Sequence, residues 1–138
     1  MRAILKVLTK NYTYVWFIPN NLPLLKISSE EENFCKLLNR EKSIQYRYSR
    51  GYIREVLSKL FHLDPIAVPL KAIPGKPPEL LRNYGYLSIS HCEDKLLIAW
   101  SAKRIGIDIE RIDRSIEAKK ISQRFYNEKD KLYLSNID

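Results

Sequence analysis

The sequence predicts an α+β domain, a small antiparallel sheet packed with helices, and three observations carry that expectation. Short β-branched or aromatic runs and amphipathic runs follow one another in mixed order, βααβββαα, without the regular alternation of a parallel α/β fold. The runs "YLSIS" and "LLIAW" flank the turn-forming "HCEDK", which is the pattern of an antiparallel hairpin. A chain of 138 residues that is 45% hydrophobic is long and apolar enough to bury one core.

Each element has its own local reason. "YTYVWFI", Tyr12 to Ile18, is aromatic and β-branched, so it reads as a strand that Pro19 and "NNLP" end. "SSEEENFCKLLNR" begins a helix: Ser29 and Glu32 have capping-box spacing, and Phe34, Leu37 and Leu38 form an apolar stripe. A longer helix is expected from about Ser43 to about His62, with Ile53, Val56 and Leu60 facing the core and Asp64-Pro65 stopping it. Five of the seven prolines fall between Leu63 and Pro78, which makes this a loop with short extended pieces. Three strands then crowd together: "YLSIS", "LLIAW" and "RIGIDIE". Beyond Arg114, "SIEAKKISQRF" turns helical with Ser115 as cap, and "NEKDKLYL" reads as a last helix with Asn127 as cap and Asp130 at its third position.

No apolar run is long enough to span a bilayer, so no membrane association is expected. Cys35 and Cys92 are the only cysteines and lie far apart, which fits neither a disulfide framework nor a zinc site and makes a reducing cytoplasm the expected location. The net charge of +8 favours a polyanionic partner: a nucleic acid, a phosphorylated cofactor or an acidic protein surface.

The chemistry concentrates in a few places. In "IGIDIERI", Ile105, Ile107 and Ile109 would share one strand face, and Gly106, Asp108 and Glu110 the other. Asp108 and Glu110 would then have Cα atoms roughly 6.5–7 Å apart, close enough to share one hard cation such as Mg²⁺. On the spacing alone, a solvated strand face with two ordinary acids is the favoured reading. Ser90 and His91 stand where a strand enters a turn; a histidine there can bind phosphate, although it is more often a structural hydrogen-bonding residue. "IPGKPPEL" presents Lys76 from a turn that Gly75 permits and the prolines stiffen, one way to offer a lysine to an anion, although taken alone an ordinary turn lysine is the favoured reading. Arg47, Arg50 and Arg54, at i, i+3 and i+7, would form one guanidinium stripe suited to phosphate, or simply a solvated helix face.

Taken in order, Arg50 in a helix, "GKP", "SISH", "GIDIE" and "RFYNEKD" resemble the phosphopantetheinyl transferases of the Sfp type. The resemblance runs from the first helix onward. It implies a half of a pseudo-dimer of two similar α+β units, with residues 1–104 as the N-terminal half-domain and 105–138 as the start of a truncated second one carrying the metal motif. It implies Mg²⁺-dependent transfer of the phosphopantetheine arm of coenzyme A to a serine of an acyl or peptidyl carrier protein. Asp108 and Glu110 would hold Mg²⁺ with the pyrophosphate; Lys76 and His91 would contact coenzyme A phosphates, with Ser90 beside them; Arg50 would bind near the adenosine 3′-phosphate, and Arg40 and Lys42 would add basic contacts. The family's base lies on a later W-x-x-K-E helix that this chain does not contain, so the resemblance assigns no catalytic residue here. It therefore implies a missing second half or self-association, and a weakly stable protein in isolation. Two other expectations stand beside it: a non-catalytic module that binds coenzyme A or a carrier protein, and, more distantly, a basic nucleic-acid-binding domain whose affinity would fall steeply with salt.

Overall fold

A computed structural model of the chain describes residues 12–71, 73, 75–93, 95–112, 121 and 124–135. The fold is α+β, as expected: a three-stranded antiparallel sheet packed with helices. Strand β1 (Thr13–Pro19) pairs with β5 (Lys95–Ser101), and β5 pairs with β4 (Tyr86–Cys92), giving the order β1-β5-β4. The β4–β5 pair is the hairpin foreseen in "SISHCEDKLL": Cys92 faces Lys95 across a two-residue connection, where Glu93 has a positive φ of 38°. Helix α1 (Ser29–Cys35) and the long α2 (Arg40–Phe61) follow β1, and a two-residue ladder joins β2 (Leu70–Lys71) to β3 (Glu79–Leu80). Helix α3 (Glu128–Ser135) starts where Asn127 caps it, its Oδ1 accepting from Asp130 N–H at 2.9 Å. The expected helix over "SIEAKKISQRF" lies largely outside the described residues, Ser115 with it, as do residues 1–11 of the expected first half-domain.

The central strand explains the core. β5 is covered on both faces, so Leu96, Ile98, Ala99 and Trp100 have no exposed surface. Ile53, Leu57 and Phe61 of α2 pack on its inner face with Tyr14, Trp16 and Ile18 from β1 and Leu87 and Ile89 from β4. Burying one such side chain contributes about 1.5–3 kcal/mol. Trp100 also donates its indole N–H to Tyr84 O at 2.6 Å, which satisfies the one polar atom on that ring. Gly85, at φ +82°, lets the chain pass tightly over this ring: a Cβ there would stand 2.6 Å from Ser101 O and 2.7 Å from Trp100 Nε1.

Three sequence expectations are corrected. The capping box sits one residue earlier, on Ser28 and Glu31: Glu31 N–H donates to Ser28 Oγ, and Ser28 N–H to Glu31 Oε2 at 2.8 Å. Helix α1 stops at Cys35, where Leu37 N–H donates to Phe34 O in a tighter last turn, and Leu37 of the expected stripe is exposed. The long helix begins at Arg40, earlier than Ser43, because Asn39 Oδ1 accepts from Lys42 N–H and caps it. The segment "RIGIDIE" is not a sheet strand: among the described residues it forms no backbone ladder. It keeps the expected alternation nonetheless, with Ile105, Ile107 and Ile109 half-buried and Gly106, Asp108 and Glu110 exposed.

No helix among the described residues is long and apolar enough to cross a membrane.

Candidate functional site

A cleft of about 390 Å³ opens between α1, α2, the loop joining β2 to β3, and the end of β4. Its cationic and titratable lining comprises Lys42 and Arg50 from α2, Lys76 from the loop and His91 from β4. Apolar and amphipathic walls come from Phe34, Leu38 and Tyr46, with Pro77 and Pro78 closing the loop side. Three of the expected coenzyme A contacts, Arg50, Lys76 and His91, therefore meet in one place, and Lys42 joins them. Arg40, at the first position of α2, does not line the cleft.

Local structure fixes each of these groups. Lys76 is carried by a turn in which its N–H donates to Ile73 O, and Gly75 takes φ +70°, a left-handed conformation that glycine adopts without cost. Arg50 is buried at the cleft floor, its guanidinium over the Tyr46 ring at 5.0 Å and its Nη1 donating to Lys71 O at 3.5 Å. It thereby ties α2 to the strand that leads into the Lys76 turn. Tyr46 in turn packs edge-on against Phe34, ring centroids 5.0 Å apart. Burial pushes the Tyr46 hydroxyl above its ordinary value, against the lowering effect of Arg50, so it stays a protonated donor at neutral pH.

His91 lies between the cleft and a second hollow of about 350 Å³ lined by Cys92, Glu93, Glu110 and Arg111. The imidazole edge meets solvent, yet partial desolvation pushes it below its ordinary value. At neutral pH it is therefore neutral until an anion arrives to favour the charged form. The run of groups is thus cationic at the α2 end and carboxylate-bearing beyond His91. Arg111 pairs with Glu93 across the second hollow.

Asp108 and Glu110 lie on the exposed side of the 105–110 strip. The Ser90 hydroxyl donates to Asp108 Oδ1 at 2.7 Å, and Ile109 N–H reaches the same oxygen at 2.9 Å. These two donors, the hydroxyl foremost, hold the Asp108 carboxyl below the usual carboxylate range and keep it ionised at neutral pH. Among the described residues no three His, Cys, Asp or Glu side chains come together to hold a metal. Two exposed carboxylates two residues apart nevertheless fit a hard cation that fills its other positions with water and phosphate oxygens, the usual habit of Mg²⁺. Gly106, beside them, meets nothing within 4 Å and does not need a positive φ. The protein's own packing does not require a glycine at this position.

Ser90 is placed differently from His91. As its neighbour on β4 it points to the opposite face, toward the 105–110 strip and away from the cleft. The expected stripe of three arginines is also divided. Arg47 pairs with Glu32, Arg50 lines the cleft, and Arg54 is buried against Glu31. Spacing along a helix does not reveal which partner each guanidinium will meet, and Glu31 is 23 residues away from Arg54.

The chain matches no family model and no curated protein.

Proposed function

We propose that the chain serves the Mg²⁺-dependent transfer of phosphopantetheine from coenzyme A to a serine of an acyl or peptidyl carrier protein. The observation that carries this reading is the cleft, where Lys42, Arg50, Lys76 and His91 converge from three separate parts of the chain. Four such donors around a volume of about 390 Å³ suit a ligand with several phosphates. The apolar and aromatic walls supply a surface for a flat heterocycle. The second hollow shares His91 with the cleft and has Glu110 in its wall, so a diphosphate leaving the cleft past His91 would meet that carboxylate first.

In this reaction the carrier serine oxygen forms a bond to phosphorus and gives up its proton to solvent, and the bond from that phosphorus to the departing nucleotide phosphate breaks. Lys76 and a protonated His91 would offset the charge that builds on the diphosphate oxygens. Lys42 and Arg50 would orient the nucleotide end and so limit the reacting geometries. Asp108 and Glu110 would hold Mg²⁺, which when bound neutralises diphosphate charge. The positive surface also suits acidic carrier proteins. A cytoplasmic setting, where the thiols stay reduced, agrees with this role.

Intact-mass analysis of an apo carrier protein, incubated with the chain, coenzyme A and Mg²⁺, tests the proposal. A gain of one phosphopantetheine that Asp108→Ala removes is the expected result, with a rate rising more than linearly with chain concentration if self-association completes the site. Coenzyme A binding by calorimetry with no mass gain would instead identify a binding module. Neither binding nor transfer would refute both.

A further inference from the structure

The 105–110 strip is attached to the sheet in an unusual way. Ile107 N–H donates to Ser88 Oγ at 3.2 Å, and Ile109 N–H donates to Ser90 Oγ at 3.2 Å. Ser88 and Ser90 are two residues apart on β4 and share a face, as Ile107 and Ile109 do on the strip. The two spacings match, so the strip runs parallel to β4, with a hydroxyl standing where a neighbouring strand's carbonyl would accept; Ile109 N–H is shared between Ser90 Oγ and Asp108 Oδ1, the latter at 2.9 Å. A serine hydroxyl can accept and donate at once. Ser90 does both, accepting from Ile109 N–H and donating to Asp108 Oδ1.

We propose that Ser88 and Ser90 are positioning residues for the carboxylate strip, a two-hydroxyl clamp that fixes its register on β4 and, through Ser90, the orientation of the Asp108 carboxylate. Ser88 sets the strip's position without touching either acid. Ser90 does so too and also aims one carboxylate oxygen. The part of this inference that concerns cation binding rests on the proposed Mg²⁺ role of Asp108 and Glu110; the clamp itself does not.

Amide hydrogen exchange followed by NMR tests the clamp directly. Ser88→Ala should speed exchange at Ile107 roughly three- to tenfold and leave Ile109 protected, as expected for the loss of one hydrogen bond. Ser90→Ala should leave Ile107 protected and speed exchange at Ile109 by a smaller factor, about two- to threefold, because that amide keeps its bond to Asp108 Oδ1. Exchange at Leu96 and Ile98 in the buried central strand should not change in either variant, which establishes that the fold is intact. Ser90→Thr keeps the hydroxyl and suits a strand, so it should restore protection at Ile109. Unchanged exchange at both amides in the alanine variants, or no rescue by threonine, overturns the clamp.

Titration with Mn²⁺ alone, read by electron paramagnetic resonance, tests its consequence. Ser90→Ala should weaken Mn²⁺ binding several-fold, Ser88→Ala less, and Ser90→Thr should bind as the parent does. Loss of amide protection without any change in a measurable Mn²⁺ affinity overturns the orienting role of Ser90. Failure of the unmodified chain to bind Mn²⁺, with the amide responses as stated, would instead remove the metal from the proposed function and leave the clamp standing.

Discussion

Replacing Glu31 by alanine should cost this domain a large share of its stability. The Glu31 side chain has no exposed surface and that of Arg54 has 3%. Glu31 Oε2 accepts from Arg54 Nε at 2.7 Å and from Ser28 N–H at 2.8 Å. Arg54 Nη1 meanwhile reaches three carbonyls, Pro65 O and Ile66 O at 3.2 Å and Val68 O at 3.1 Å. Removing the carboxylate leaves the guanidinium charge buried and uncompensated, which typically costs about 3–5 kcal/mol. It also removes half of the capping box, worth about 1 kcal/mol, and the two losses overlap. A net loss of about 4 kcal/mol is expected, against a total of about 5–15 kcal/mol for a typical domain. Urea unfolding followed through Trp100, which is fully buried, gives the assay. With a slope of about 1.5 kcal/mol/M the midpoint should fall by roughly 2.5 M. Glu32→Ala is the internal comparison: its pair with Arg47 is 30–39% exposed and should be worth about 0–1 kcal/mol. The double variant Glu31→Gln/Arg54→Met should lose at least about 2 kcal/mol less than the two single losses together, because it strands no charge. A loss below about 1 kcal/mol in Glu31→Ala would refute the assignment of Arg54 as the bolt joining α1, α2 and the segment that leads to the Lys76 turn.

Other outcomes follow from single residues. Gly85→Ala should lower the thermal midpoint clearly, since the new methyl would meet Trp100 and Ser101 at under 3 Å in a left-handed backbone. Gly106→Ala should leave the midpoint essentially unmoved, since nothing lies within 4 Å, and should weaken diphosphate binding by calorimetry; equal binding would mean the open face is not a ligand surface. His91 should titrate by NMR below the ordinary histidine value of about 6.5 in the free chain, as its burial lowers it, and higher once inorganic pyrophosphate is bound. In the free chain the native state binds fewer protons than the unfolded one, so this group's contribution is full above about pH 6.5 and is lost as the pH falls through the native value. A free-chain midpoint at or above the ordinary value would contradict that environment.

Much of the fold was legible because local chemistry governs it. The "YTYVWF" strand, the "YLSIS"/"LLIAW" hairpin and the long helix each declare themselves through side-chain period and turn residues, and the structure contains all three. Alternation in "IGIDIE" likewise foretold which residues are exposed. Its mode of attachment was not legible, because hydroxyls and not strand carbonyls accept its amides. The capping box was ambiguous by one residue because two serines precede three glutamates, and only the distant Arg54 selects Glu31. Arg50, Lys76 and His91 could be named one by one as phosphate-suited groups. The aromatic wall of Phe34 and Tyr46 could not, since apolar residues at helical spacing read first as core. Tertiary packing alone turns that pair toward the cleft.

The hydroxyl attachment of the 105–110 strip bears on how such a chain can be recombined. A segment woven into a sheet cannot be exchanged without breaking backbone pairing on the strand that receives it. A segment fastened by two side chains can. Among the described residues, the backbone ladder of β4 runs to β5 and not to the strip over Ser88 and Ser90. The stretch between Ser101 and Ile105 is thus a natural splice point, across which a donor sequence need only present amide groups two residues apart to two serines. Libraries that vary the carboxylate strip while holding Ser88 and Ser90 constant would sample new cation and phosphate preferences on a sheet that does not register the change.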